Sequence, residues 1–256
     1  MRTQAIMQSL CRRAWHTTAG AALVAACAAA NAANFTVTPV RVELSSMQRS
    51  VALTVRNDTS DEPVVVQLST AAWSQKEGED VYAPTTDVIA TPPIFTLAPG
   101  ATQVVRVGLR HPQAAEHEVS YRLYMREVPP APKPGFAGVR IALEMDLPIF
   151  AKPQTSIAPK LHWKMGPRQA NGAVGITVHN AGDAHVQLAN LVLAAPGARE
   201  SVATYPGFVY VLPGETRLLS LKPGGQPASA IEGAGLHLKG YSDAGAIDAD
   251  VAPENR

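Results

Sequence analysis

Residues 139–150 read V-R-I-A-L-E-M-D-L-P-I-F, with apolar side chains at every odd position. Because successive side chains of a strand point to opposite faces, this alternation predicts a β-strand with one apolar face and one mostly charged face. At roughly 3.3 Å per residue it would span about 33–36 Å, whereas an ordinary strand is about 17–20 Å long. Two interpretations stay open: a long core strand within a sandwich, or a strand whose first half offers its apolar side chains to another chain.

Residues 1–33 have the features of a secretory signal peptide. Three arginines precede a short apolar run at residues 19–30, and a small-x-small cleavage motif follows. About a dozen apolar residues are too few to span a bilayer. We therefore expect export and cleavage after Ala32 or Ala33, with lipidation at Cys27 as the alternative.

Composition and motifs exclude several classes of function. The 22 basic and 21 acidic residues are nearly balanced and form no basic block, so nucleic acid is not an expected partner. Both cysteines, Cys11 and Cys27, lie in the predicted signal peptide, so the exported chain would have no disulfide and no thiol chemistry. The sequence has no G-x-S-x-G motif and no phosphate-binding glycine loop, and His111 and His117 fit a solvated loop better than a metal site. We expect no enzyme activity, cofactor, metal or small-molecule substrate.

From residue 35 onward, short apolar-alternating runs are separated by turns rich in Gly, Pro and Asn. About seven strands before residue 151, and a similar series after it, predict an all-β protein of two immunoglobulin-like β-sandwich domains in tandem. We expect the domains at residues 34–151 and 152–256. Four prolines in residues 129–135 cannot pair in a ladder, so they leave the start of the long strand loosely anchored.

Three motifs carry a family resemblance: I-A-T-P-P-I-F-T-L-A-P-G at residues 89–100, Y-R-L-Y-M-R-E-V-P-P at 121–130, and G-Y-S-D at 240–243. With the long strand between the last two, the chain resembles the PapD-like periplasmic chaperones of the chaperone–usher pathway, in a divergent, archaic-type branch. The resemblance implies two domains set at an angle around a cleft, a periplasmic location, and a pilus subunit and an outer-membrane usher as partners.

The resemblance also implies a mode of binding. A pilus subunit is an immunoglobulin-like fold that lacks its last strand, and the chaperone inserts its own strand into the resulting apolar groove, which is donor-strand complementation. The inserted side chains would be Val139, Ile141, Leu143 and Met145. Self-association of the unbound protein through the same strand stays open.

Members of the family hold the C-terminal carboxylate of the subunit between the domains, with an arginine of the first strand and a lysine of the long strand. Arg41 matches the arginine, but Pro148 stands at the lysine position. We expect Arg122 to substitute for this lysine, with Arg106 as a further candidate. The alternative for all three arginines is an exposed strand face.

Family members also orient their domains through a buried charge network, whose positions match Glu118, Lys152 and Asp243. The alternative is three unrelated surface charges.

Two other functions stay open: a two-domain structural pilus component or adhesin, and a carbohydrate-binding module with Trp73 or Trp163 as its stacking platform. The absence of cysteine from the exported chain argues against the former, and we expect Trp73 to fill the core.

Overall fold

The computed structural model describes residues 35–59, 61–111, 116–131, 141–167, 169, 172–195, 200–224 and 235–253. Every regular element within these ranges is a β-strand. The same ranges contain no helix of the length and hydropathy needed to cross a membrane. The predicted signal peptide and Val139, the first residue of the predicted long strand, lie outside the described residues.

Ten strands make up the first domain. They are β1 (Phe35–Thr38), β2 (Val42–Leu44), β3 (Ser50–Asn57), β4 (Val64–Lys76), β5 (Glu79–Pro84), β6 (Val88–Thr91), β7 (Ile94–Leu97), β8 (Thr102–Leu109), β9 (Val119–Glu127) and β10 (Glu144–Ala151). One sheet has the order β1-β3-β8-β6 and the other the order β2-β10-β9-β4-β5, with β7 beside β4. Buried apolar side chains of both sheets, such as Leu53, Val105 and Leu123, form one core. The chain changes sheets between β1 and β2, next to Pro39, where the sequence predicts a switch in register.

Seven strands make up the second domain. They are β11 (Leu161–Met165), β12 (Val174–Asn180), β13 (Val186–Ala194), β14 (Ala203–Val211), β15 (Thr216–Pro223), β16 (Leu236–Ser242) and β17 (Gly245–Val251). Their order is β11-β12-β15-β14-β13-β16-β17. A bridge between Lys164 and Ala252 joins the first strand to the end of the last, so the sheet closes around its own apolar core. The expected all-β fold of two sandwich domains is confirmed.

The sequence pattern missed two strands of the first domain, β5 and β6. Most side chains of Glu79–Pro84 are exposed, and only the first of Val88–Thr91 is buried. Without a buried face these strands show no alternation of apolar and polar residues. Periodicity therefore cannot detect them, although both are paired in the sheets.

A fully buried asparagine stabilises a turn in each domain. Asn180 accepts hydrogen bonds from the backbone N–H of Lys160 at 3.0 Å and of Gly182 at 3.1 Å. Its amide donates to the carbonyl oxygens of Ala184 at 2.8 Å and Val211 at 3.2 Å. Asn57 bonds the turn after β3 in the same manner. Because Ala184 precedes His185, Asn180 also orients the chain at the junction between the domains.

Replacement of Asn180 by alanine is expected to lower the free energy of unfolding by about 2–4 kcal/mol, because several buried backbone groups lose their partner at once. Urea unfolding followed by circular dichroism measures this loss. The matched control is Gln169→Ala, which removes an exposed hydrogen bond to Ser220 and should change stability by less than about 0.5 kcal/mol. Equal effects of the two substitutions would contradict this role of Asn180.

Candidate functional site

The strand that corresponds to the alternating stretch is shorter than predicted. β10 begins at Glu144 rather than Val139, and residues 141–143 lie before it without strand pairing. The reason is that its antiparallel partner β9 ends at Glu127, directly opposite Leu143. A strand requires a neighbour to pair with, and alternation of side chains alone does not provide one.

Burial increases steadily along the apolar face of this segment. Ile141 is 78% exposed, Leu143 and Met145 are half-buried against the core of the first domain, and Leu147 and Ile149 are fully buried. The second half of the stretch is thus core, as in the first interpretation of the sequence. The first half presents apolar side chains that the described part of the domain covers only partly.

One edge of β10 is unpaired in the described structure. β10 pairs in parallel with β2 only through Ile149–Ala151, which leaves Glu144 to Pro148 open on that side. The backbone N–H of Glu127 donates to Leu143 O, and that of Lys152 donates to Leu44 O. The peptide groups of even-numbered residues therefore point to the open edge. Pro148 has no N–H to offer there, so a ladder formed on this edge can receive backbone donors from Glu144 and Asp146 but not from Pro148.

Arg122 lies opposite Pro148 in the β9–β10 register. Its side chain is buried, and its guanidinium stacks on the Trp73 ring at 3.7 Å from the centroid. Its ion pair with Asp146 is long, at 3.4 Å, and its Nε has no hydrogen-bond partner in the described structure. Burial raises the pKa of the Asp146 carboxyl despite the nearby guanidinium. A buried cation with incomplete pairing is costly, so Arg122 is well suited to receive an anion.

Arg41 is already paired. Its guanidinium donates to Asp243 Oδ2 and to Gln187 Oε1, both at 2.8 Å, and so links the first domain to the second. Burial tends to raise the pKa of Asp243, but His185, the backbone N–H of Gln187 and Arg41 lower it to about 2. The guanidinium groups of Arg41 and Arg122 both lie near Tyr210, at 5.9 and 5.7 Å from its ring centroid.

The expectation that Arg106 is a further candidate at this position is not supported. Arg106 is exposed on β8, which belongs to the opposite, four-stranded sheet, where it pairs in register with Ala52 and Thr91. The alternative of an exposed strand face describes Arg106. It describes neither Arg122, which is buried, nor Arg41, which bridges the domains.

The charge cluster between the domains differs in one member from the sequence expectation. Glu118 Oε1 accepts hydrogen bonds from the backbone N–H and from Nδ1 of His185, at 3.1 and 2.5 Å. His185 Nε2 lies 3.3 Å from Asp243 Oδ2. Lys152 does not join this cluster, because its Nζ pairs with Glu43 at 2.6 Å. Sequence reasoning missed His185, since nothing in its neighbourhood distinguishes it from a strand residue.

A cluster of buried aromatic and apolar side chains lies beside these charges and joins the two domains. It consists of Trp73, Phe150, Tyr210 and Leu212. Gln75 pairs across the junction, donating to Tyr210 O and accepting from the Leu212 N–H, both at 3.0 Å. Trp73 is buried as expected, and the core cluster that it fills lies at the domain junction. Trp163 lies in the core of the second domain, so neither tryptophan is an open stacking platform.

A polar cavity of about 410 Å³ opens at this junction. Its lining includes Arg41, Glu118, Lys152, His185 and Asp243. The structure thus brings Arg41 and the three residues of the expected network to one cavity, although Lys152 is paired with a different carboxylate. No group of three or more His, Cys, Asp and Glu side chains suited to a metal ion occurs in the described ranges.

Comparison with known proteins gives the family. A family model described as pili and flagellar-assembly chaperone, PapD N-terminal domain, matches residues 34–156. The first domain belongs to this family. The chaperone protein PapD of Escherichia coli is 30% identical over 118 residues, which cover 44% of this chain and 46% of PapD. The match therefore spans about half the length of this curated relative.

Solved structures extend the likeness in fold to both domains. A chain of the CsuC–CsuE chaperone–tip adhesion subunit pre-assembly complex, from archaic chaperone–usher Csu pili of Acinetobacter baumannii, matches with a TM-score of 0.64 and 18% identity, over 87% of this chain and 100% of that chain. The E. coli chaperone DraB matches with a TM-score of 0.60 and 19% identity, over 86% and 98% of the two chains. At these identities the likeness shows the fold alone, which is two immunoglobulin-like domains in tandem.

Proposed function

We propose that this protein is a periplasmic chaperone that binds a pilus subunit by donor-strand complementation and delivers it to an outer-membrane usher. The observation that carries the proposal is the open edge of β10. Beside this edge, Ile141 is exposed, and Leu143 and Met145 are half-buried. A strand edge with unpaired peptide groups and adjacent apolar side chains is suited to β-strand addition. Membership of the first domain in the PapD family supports the same role.

In this proposal Val139, Ile141, Leu143 and Met145 fill successive pockets of the subunit groove. Arg122 holds the C-terminal carboxylate of the subunit, and Arg41 lies near the same Tyr210 ring. The acting domains are residues 34–151 and 152–256, after removal of residues 1–33 as a signal peptide. The protein works by binding and not by catalysis, so we propose no cofactor.

The test is co-expression in a bacterial periplasm with a pilus subunit, with an affinity tag on the chaperone. We expect an equimolar complex and protection of the subunit from proteolysis. The matched control is the same subunit extended by its own complementing strand, which fills the groove and should not be captured. Failure to retain the open subunit, or equal retention of both forms, would contradict donor-strand complementation.

A further inference from the structure

His185 lies immediately before β13, where the second domain meets the first. The whole residue is only 8% exposed. Its ring stacks face to face on Phe150 of the first domain, with centroids 3.4 Å apart and planes at 5°. Burial and this stacking therefore leave the ring little freedom to turn away from its polar neighbours.

The two ring nitrogens face carboxylates from different domains. Nδ1 contacts Glu118 Oε1 of the first domain at 2.5 Å, and Nε2 lies 3.3 Å from Asp243 Oδ2 of the second. A neutral imidazole has a single N–H, so one of these contacts would place a ring lone pair against a carboxylate oxygen. An imidazolium donates from Nδ1 to Glu118, and its positive charge also attracts Asp243, while Nε2 makes no hydrogen bond among the described residues.

The charges around the ring lead to the same conclusion. Glu118 and Asp243 are two carboxylates, and the guanidinium of Arg41 pairs with Asp243. Tyr210 faces the ring at 5.9 Å between centroids, and Lys152 is occupied by Glu43. The side chain of Glu118 is fully buried, and its Oε2 has no hydrogen-bond partner among the described residues. Without a charge on His185, Glu118 would be a buried anion with no ionic partner, which is strongly unfavourable.

We propose that protonated His185 is a cation that joins the two domains, beside the ion pairs Arg41–Asp243 and Arg217–Asp80, at the position the family resemblance assigns to Lys152, and that loss of its proton loosens the domain junction. His185 is a positioning residue in this account. It sets the arrangement of the domains and, through Asp243, the position of Arg41. The inference concerns the junction itself, so it does not depend on the proposed capture of pilus subunits.

The direction of the pH dependence follows from the contacts. Burial disfavours the charged ring, but the close contacts and charges of Asp243 and Glu118 outweigh it and raise the pKa of His185 above 6.5. A group whose pKa is raised on folding contributes its full stabilisation below the unfolded pKa and loses it as the pH rises through the folded value. The junction should therefore be tightest in mildly acidic solution and loosen towards alkaline pH.

Small-angle X-ray scattering between about pH 5.5 and pH 9 tests the proposal on the purified protein. We expect the radius of gyration of the wild type to increase with pH, and His185→Gln to show the expanded value at both ends. The matched control is His237→Gln. His237 also has a raised pKa, from hydrogen bonds to Asp250 and Asp248, but it lies on β16 away from the junction, so its variant should follow the wild type. A wild-type profile that does not change with pH, or a pH dependence retained in His185→Gln, would overturn the proposal.

A second measurement decides the question even if His185→Gln does not fold. In an NMR titration of the wild type, the ring nitrogens of His185 should report an imidazolium at about pH 6 and lose the proton at a higher pH than an unperturbed histidine. Glu118→Gln should shift this titration to lower pH, while the titration of His237 stays in place. A His185 ring that is already neutral at about pH 6 would contradict its role as a joining cation.

Discussion

Replacement of Ile141 and Leu143 by glutamate is expected to abolish capture of the pilus subunit while the chaperone stays folded. Each buried apolar side chain of this size contributes about 1.5–3 kcal/mol. Loss of both should therefore weaken binding by about 3–6 kcal/mol, or roughly 10²- to 10⁴-fold. The added charges increase the penalty, since they would have to enter an apolar groove. Affinity measured by surface plasmon resonance against the immobilised subunit gives the result.

Two controls separate this effect from a loss of stability. Ile141→Glu alone is the cleaner variant, because Ile141 is 78% exposed whereas Leu143 also packs on the core of the first domain. Val104→Glu introduces the same charge at another exposed apolar position, on the opposite sheet. Thermal melting should show that all three proteins are folded. Normal capture by the double variant would mean that the stretch before β10 is not the donor.

Replacement of Arg122 by alanine is expected to weaken subunit binding by about 2–4 kcal/mol, if the arginine holds the C-terminal carboxylate. The physical reason is that a partly buried carboxylate would lose a cation that stacks on Trp73 and is held in place. Arg126→Ala is the matched control. Arg126 lies four residues further along β9, on the same face, but it is exposed and pairs with Glu144 at 2.6 Å, so its loss should weaken binding by no more than about 1 kcal/mol.

A double-mutant cycle distinguishes a direct contact from an indirect effect. A subunit whose C-terminus is amidated should bind wild type about as weakly as the free-acid subunit binds Arg122→Ala, and the two changes together should add little more. Isothermal titration calorimetry of the four combinations measures the coupling. Fully additive losses would show that Arg122 supports the site through Trp73 and the domain junction without touching the carboxylate.

Arg41 and Arg122 differ in how easily they can bind an incoming carboxylate, because they have different partners. Arg41 already bridges to Asp243 and Gln187 of the second domain, so binding an incoming carboxylate would require it to share or exchange a short ion pair. Among the described residues, Arg122 has one long ion pair, and its Nε has no hydrogen-bond partner. The sequence ranked Arg41 as the better match, because resemblance compares positions in the chain and contains no information about which side chains are already paired.

The alternating stretch at residues 139–150 shows which features of a strand side-chain periodicity can predict. It predicted which side chains share the apolar face, and Leu147 and Ile149 are buried on that face as expected. It overestimated the strand length, because β10 can begin only where β9 provides a partner. The weakly alternating β5 and β6 were missed for the converse reason: they are paired in the sheets but bury little.

By itself the amino-acid sequence determined the all-β architecture, the apolar face of the alternating stretch and the resemblance to the PapD-like family, because these follow from side-chain period and from motifs that are local in the chain. Only the tertiary structure decided that His185 takes the expected place of Lys152, that Trp73 lies at the junction and that Arg106 is remote. Glu118 and His185 are 67 residues apart, and they meet only because two separately folded domains pack against each other. A contact of this kind depends on the packing of both domains, and no local pattern in the chain records it.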